Sequence, residues 1–146
     1  MTSDGSGFGL PQMSEREMFD RLLSDDSERD DSEPAIAAGI GEQMLHMSLR
    51  PLPRSMRARI RDISAKIPAR NAVLVGGGIG HLSAWLLDLW CGDPANPPVQ
   101  PPPRPESFRI VEPGGKFGVI IDRLIRRHGA ESWTQVIQMT WGELAA

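Results

Sequence analysis

The stretch AVLVGGGIGHLSAWL, residues 72–86, decides the expected fold. It begins with a short aliphatic run, continues as a glycine-rich turn and ends with apolar residues at helical spacing. A buried parallel strand is typically such an uninterrupted apolar run. Glycines permit positive φ and let backbone N–H groups approach a ligand, with the N-terminus of a helix behind them. The stretch therefore predicts a strand, a ligand-binding turn and a helix.

A second string, Ile110-Val111-Glu112-Pro113, supports a nucleotide-binding interpretation of this turn. In dinucleotide and adenosyl folds, an acid closing the second strand hydrogen-bonds the ribose hydroxyls about 20 residues after the glycines. Glu112 lies 32 residues after Gly80, but residues 93–105 are a proline-dense segment of 13 residues. Without that segment the separation is about 19 residues, so the spacing fits a standard unit with an inserted loop.

The glycine pattern distinguishes between ligand classes. A phosphate-binding P-loop requires Lys and then Ser or Thr after its last glycine, whereas Gly80 is followed by His81 and Leu82. The dinucleotide pattern Gly-x-Gly-x-x-Gly is not completed in either register, because His81 and Ser83 occupy the positions of its last glycine. The pattern that is satisfied is Gly-x-Gly-x-Gly, at residues 76–80.

With these two motifs the chain resembles the class I S-adenosylmethionine-dependent methyltransferases, over roughly residues 70–146. The resemblance implies a Rossmann-like fold and S-adenosylmethionine as cofactor. It implies that the glycine turn packs against the methionyl part, that Glu112 holds the ribose, and that the turn after the third strand borders the adenine. The implied cofactor-binding residues are Gly76, Gly77, Gly78, Ile79, Gly80, His81, Glu112, Pro113, Thr140 and Trp141.

The chain departs from the family's pattern at three places. Leu74 stands where the family usually has an acid two residues before the first glycine, and Thr140 stands where an acid usually contacts the adenine amine. The sequence ends at Ala146, before a fourth strand and the substrate-binding half. We therefore expect an incomplete methyltransferase fold whose exposed sheet edge invites pairing, either with a second copy or with a partner subunit.

The remaining sequence predicts three regions. Residues 1–34 read as an acidic, largely disordered tail with a short helix beginning at Ser14, followed by an acidic linker at residues 24–33. Residues 35–70 read as a helical cap segment with two helices. Residues 71–146 read as the Rossmann-like half-domain, an α/β unit with a parallel sheet in the order β-α-β-α-β.

Charge and composition indicate which partners, which compartment and which metal sites to expect. Residues 1–34 carry ten acids and three bases, whereas residues 35–146 carry thirteen bases and nine acids. The stretch from Arg50 to Arg70 holds seven bases and one acid but no interleaved aromatic residues, so a nucleic-acid partner is not expected. One cysteine, no apolar run long enough to span a membrane and no signal-like N-terminus predict a cytoplasmic protein. His46 and His128 lack companions at metal-ligand spacing, so no metal site is expected.

Three functions stay open from the sequence. The first is methyl transfer from S-adenosylmethionine to a small-molecule or protein nucleophile, with His81 weighed as a base but expected to be a polar surface residue. The second is a non-catalytic module that keeps the same site for nucleotide binding or assembly. The third is a nicotinamide-dependent oxidoreductase, which the incomplete dinucleotide pattern disfavours. No catalytic residue follows from the sequence, and the methyl acceptor is not specified by it.

Overall fold

The computed structural model describes residues 14–17, 32–67 and 69–146. Residues 15–17 are helical, as predicted, and Ser14 caps them, since the backbone N–H of Glu17 donates to Ser14 Oγ at 3.1 Å. The rest of the predicted tail, residues 1–13 and 18–31, lies outside the described residues. The remaining elements are α1 (Ala35–His46), α2 (Arg54–Lys66), β1 (Asn71–Val75), α3 (His81–Cys91), β2 (Ser107–Val111), α4 (Gly115–Arg127), β3 (Thr134–Ile137) and α5 (Trp141–Ala145).

The strands form a three-stranded sheet in the order β1-β2-β3, and both pairings are parallel. Leu74 on β1 is level with Ile110 on β2, which is level with Val136 on β3. A helix separates each pair of consecutive strands, as parallel pairing requires. The predicted mixed α/β fold with β-α-β-α-β order is confirmed.

The core lies between the helices and one face of this sheet. In the register, side chains at alternate positions of β1, β2 and β3 share that face. They pack against the buried side chains of α3 and α4, while α1 and α2 contact α3 from outside. The sheet side chains of this core are Ala72, Leu74, Phe108, Ile110 and Val136.

The opposite face of the sheet and the free edge of β1 are open in the described part of the chain. Val73 and Val75 are 50 % and 51 % exposed, and Arg109 and Gln135 beside them are exposed as well. The face is closed only towards the carboxyl ends of the strands, where Val111 is 1 % exposed. Parallel sheets are normally covered on both faces. Strand β1 instead has both its outer face and its free edge uncovered among the described residues.

The proline-dense segment follows the surface but is anchored at its end. Arg104 lies over the ring of Trp133, with its guanidinium carbon 4.5 Å from the ring centroid, and Pro105 is buried. The next two backbone N–H groups, at Glu106 and Ser107, both donate to the carbonyl of Arg70 at 2.8 and 3.3 Å. The segment thus returns the chain to the start of β2, beside the start of β1.

The described residues contain no helix long and apolar enough to cross a membrane.

Gly77 is the position where the turn approaches the core most closely. A Cβ there would lie 2.5 Å from Ile110 Cγ2 and 2.9 Å from Ile121 Cδ1, whereas a Cβ on Gly115 would meet nothing within 4 Å. We expect Gly77→Ala to lower the free energy of unfolding by about 1–3 kcal/mol, because the methyl group overfills the core. The control Gly115→Ala, in the first turn of α4, should leave stability unchanged or slightly higher. Urea unfolding measures both, and equal stabilities would contradict this packing.

Candidate functional site

The glycine turn, residues 76–80, lies at the carboxyl edge of the sheet between β1 and α3. Gly76, Gly78 and Gly80 have φ of 82°, 58° and 97°, the left-handed region that side chains rarely adopt. The N–H groups of Gly76 and Gly77 both donate to the carbonyl of Val111, at 2.9 and 3.2 Å. The turn is therefore tied to the end of β2, and its backbone path requires glycine.

Glu112 holds the turn from the neighbouring loop. Its Oε1 accepts the N–H of Gly78 at 2.7 Å, and its Oε2 accepts the N–H of Gly114 at 2.8 Å. Glu112 is 7 % exposed, so these are charge-assisted bonds largely shielded from solvent. One side chain thus joins the glycine turn to the start of α4. The sequence predicted the proximity of Glu112 to the glycines, but the bond to the turn itself is a finding of the structure.

A cavity of about 340 Å³ opens beside this turn and is covered by the helical segment from α1 to α2. Its volume is at the lower end of the range usual for small-molecule sites, ~300–1,000 Å³. The glycine turn forms one wall, and the loop between α1 and α2 forms another. The lining residues are Met44, Leu49, Arg50, Leu52, Arg57, Leu74, Val75, Gly76, Gly77, Gly78, Ile79, His81, Leu82 and Phe117.

A buried polar cluster of Glu33, Arg57, His81 and Trp85 joins the helical segment to α3 behind this cavity. Arg57 Nη1 donates to Glu33 Oε2 and lies 2.6 Å from His81 Nε2. The same Glu33 oxygen accepts the indole N–H of Trp85 at 3.0 Å. The guanidinium carbon of Arg57 also lies 5.6 Å from the centroid of the Trp85 ring. Charge, hydrogen bonds and stacking therefore all position α2 over α3.

The cluster determines the protonation state of His81. Burial lowers the pKa of His81, and the charge of Arg57 lowers it further, while Glu33 acts in the opposite direction. The neutral ring is therefore favoured. Because a guanidinium can only donate, His81 Nε2 accepts from Arg57 and the ring proton resides on Nδ1. Nε2 also lies 3.2 Å from Glu33 Oε2, the same carboxylate oxygen to which Arg57 donates.

Two expectations from the sequence are corrected here. His81 was expected at the surface, but it is 6 % exposed, because α2 and Gly41 of α1 lie over the first turn of α3. The acidic linker was expected to stay solvated over residues 24–33, but the side chain of Glu33 is only 13 % exposed. Arg57 and Trp85 supply the charge and the donor that make its burial favourable. The linker residues before Ser32 lie outside the described part.

Glu112 lies behind Gly78 and is not among the residues that line the cavity, and the remaining predicted site residues do not line it either. Pro113 is exposed directly after Glu112, and Gly80 is buried facing Leu124. Thr140 caps α5, since its Oγ1 accepts the N–H of Glu143 at 3.1 Å. Trp141, implied to be a cofactor-binding residue, is 50 % exposed in the first turn of that helix. These loops share the carboxyl edge of the sheet with the glycine turn, as parallel strand order requires.

Sequence reasoning missed the cationic side of the cavity. Arg50 and Arg57 come from the helical segment and are 26 and 19 residues before the first glycine. Nothing in their local pattern distinguishes them from the other arginines of residues 50–70. Arg61 of the same segment pairs with Asp88 on α3 at 3.0 Å and lies 6.0 Å from the Trp85 ring. The aromatic partner absent from this basic stretch is thus supplied by another helix.

Comparison with models of known protein families gives no match for this chain, and comparison with curated protein sequences gives none either.

Lowering the pH should destabilise the protein through His81. Its pKa in the folded state is below the usual value of about 6.5, so the unfolded state takes up the proton first as pH falls. Stability is fully present above pH ~6.5 and declines below it, by at most about 1.4 kcal/mol per pH unit for this one group. His81→Gln keeps an acceptor for Arg57 but cannot titrate.

We expect wild type to lose more stability than His81→Gln between pH 7 and pH 5, measured by urea unfolding at each pH. The pKa of His128 is also lowered by burial, but His128 is present in both proteins and cancels in the comparison. Parallel pH profiles for the two proteins would contradict the assignment of a neutral, buried His81.

Proposed function

We propose that this chain binds S-adenosylmethionine at the glycine turn and belongs functionally with the class I methyltransferases. The observation that carries the proposal is the cavity beside a glycine turn whose shape depends on an acid at the end of the next strand. The resemblance implies a glycine turn and an acid at the end of the next strand beside an adenosyl ligand, and these two features lie together here. The helical segment, with Met44, Leu49 and Leu52, supplies an apolar cover for it.

Glu112 would serve the ligand through the oxygens that also hold the turn. Each carboxylate oxygen accepts one backbone N–H and has a further lone pair available. A ribose has two hydroxyl groups, so each of them could donate to one of the two carboxylate oxygens. Because both oxygens are already fixed by backbone contacts, the carboxylate is oriented before the ligand arrives, which lowers the entropic cost of binding.

A non-catalytic binding module is the second candidate, and the state of His81 favours it. A general base must be free to take a proton from the nucleophile. His81 lines the cavity, but its Nε2 already accepts from Arg57 and its pKa is lowered. Binding of the cofactor without turnover would fit this geometry. A methyl-donor turnover assay on the full chain distinguishes the two candidates.

The free edge of β1 belongs to the same proposal. We propose that a second copy of this chain covers that edge and the exposed valines beside it, in the reducing cytoplasmic setting expected from the single cysteine. An uncovered apolar edge strand is a site for pairing with another chain. A different subunit that completes the sheet is the alternative.

Binding to S-adenosylhomocysteine tests the ligand class. Isothermal titration of the full chain should give binding to S-adenosylhomocysteine and weaker or no binding to NAD. Glu112→Gln should weaken S-adenosylhomocysteine binding by roughly 10- to 100-fold, the usual effect of losing hydrogen bonds to a charged acceptor. Glu131→Gln, an exposed acid before β3, is the matched control and should bind as wild type does.

A ligand with a modified ribose distinguishes a direct contact of Glu112 with the ribose from an indirect effect of Glu112 on the shape of the glycine turn. With the 2′-deoxy analogue, the loss caused by Glu112→Gln should be smaller than with S-adenosylhomocysteine, because one ribose contact is already gone. Equal losses for both ligands would mean that Glu112 acts by holding the turn alone. Tight binding of NAD without binding of S-adenosylhomocysteine would instead support the oxidoreductase hypothesis.

Val73→Lys should disrupt the proposed pairing, because a charge at an edge strand opposes strand addition. Val119 on α4 is 47 % exposed, close to the 50 % of Val73, so Val119→Lys is a matched control for surface charge. We expect sedimentation to show a dimer for wild type and Val119→Lys and a monomer for Val73→Lys. A monomeric wild type would contradict pairing between copies.

A further inference from the structure

An apolar gap of about 180 Å³ lies between α2 and the core face of β1. Val73 belongs to the opposite face of the sheet from Ala72 and Leu74, so its place in the lining shows that the gap reaches the free edge of the strand. Ile67 and Val73 are 49 % and 50 % exposed, so this end of the gap is open to solvent. The lining residues, all apolar except Ser64, are Ile60, Ser64, Ile67, Ala69, Ala72, Val73, Leu74, Leu82, Leu86, Trp90 and Phe108.

The free edge of β1 presents backbone groups beside this gap. The carbonyl of Arg70 and the N–H of Gly76 both bond to β2. In a parallel ladder every second residue bonds to the same neighbouring strand, so the even-numbered residues between these two do so as well. The odd-numbered residues, Asn71, Val73 and Val75, direct their N–H and C=O groups to the free edge. Backbone groups at an edge with an apolar pocket beside them are the two features that strand addition uses, the first for affinity and the second for specificity.

We propose that β1 of a second copy adds to this edge antiparallel, centred on Val73, and places its Leu74 in the gap. This inference rests on the pairing of copies in the proposed function and adds the register and the side chain that is buried. Pairing about Val73 uses all three residues whose backbone groups face the edge, because Val73 meets its own copy and Asn71 meets Val75. A closed pair of identical chains needs two-fold symmetry, and an antiparallel pair of this kind provides it.

The gap has the size and position for one leucine side chain. Opposite residues of paired strands place their side chains on the same face of the sheet. Leu74 of the second copy would therefore lie opposite Ala72, the smallest of the core side chains on the sheet, at the side where the gap opens. An apolar cavity of ~150 Å³ accommodates a group as large as benzene, so the gap admits a leucine side chain. Leu74 and Leu82 line both the gap and the cavity beside the glycine turn, so the added side chain would support a wall of the ligand site.

The composition of β1 favours a second copy as the occupant. The strand has apolar side chains on both of its faces, Val73 and Val75 on the open one and Ala72 and Leu74 on the other. Natural edge strands are usually protected from pairing by charged residues or proline. Residues 71–75 contain neither, so nothing in the strand opposes pairing with its own copy.

Cross-linking of the full chain tests the register, with Cys91→Ser as the background that removes the native thiol. In this background Val73→Cys should link to its own copy through a short bis-thiol reagent, because a residue on the two-fold axis meets itself. Val75→Cys is the matched control. It is on the same strand and face and is 51 % exposed, but its two copies would lie ~13 Å apart along the strands. A mixture of Val75→Cys and Asn71→Cys should link, since these two positions face each other.

Filling the gap from the α2 side tests the burial of Leu74. Ser64→Met places a flexible apolar side chain in the gap, so it should raise the dissociation constant of the dimer by roughly 10- to 100-fold, the effect of losing the burial of one leucine side chain. Ser55→Met makes the same change at an exposed position of α2 that lines neither the gap nor the ligand cavity, and it should leave the constant unchanged. Sedimentation measures the constants, and thermal unfolding verifies that both variants are folded.

The outcomes separate this inference from the proposed function. A dimeric wild type that links through Val75→Cys and not through Val73→Cys would overturn the register while the pairing of copies stood. An unchanged dissociation constant in Ser64→Met would overturn the burial of Leu74 in the gap. A monomeric wild type would refute both the register and the pairing, and titration with S-adenosylhomocysteine decides the ligand proposal independently of either.

Discussion

The carboxylate of Glu112 is the contact on which the candidate site depends. It accepts backbone N–H groups from two different loops, at Gly78 and at Gly114, and so determines how the glycine turn and the start of α4 lie relative to each other. Both loops follow neighbouring parallel strands, and the sheet alone would leave their backbone donors unpaired. A charged acceptor with two oxygens satisfies both loops at once. By fixing the glycine turn, the Glu112 carboxylate also determines the shape of the cavity wall that this turn forms.

The helical segment before the sheet completes the site through charge rather than through apolar packing alone. Arg57 and Arg61 of α2 both lie over Trp85 of α3, and each also pairs with an acid. Buried ion pairs contribute less to stability than to the choice of one arrangement, because desolvation offsets much of their attraction. Here the chosen arrangement places α2 beside the glycine turn. Two arginines of the basic stretch at residues 50–70 therefore make contacts within the protein.

The sheet presents two different environments to its surroundings. One face is packed against helices, whereas the other exposes Val73 and Val75 together with Arg109 and Gln135. The free edge of β1 adjoins the same exposed valines. The candidate site at the carboxyl edge and the uncovered strand are next to each other, because Val75 both lines the cavity and is exposed.

The sequence by itself determined the element order and the glycine turn, because strand and helix periods and the need for positive φ are local properties. It also predicted that Glu112 lies near the glycines, once the inserted proline loop was discounted. Only the tertiary structure decided the roles of Glu33, Arg57 and His81, which are separated by 24 residues at each step and share no local pattern. Burial, partner geometry and the resulting tautomer depend on which helices meet, and no single stretch of chain specifies that.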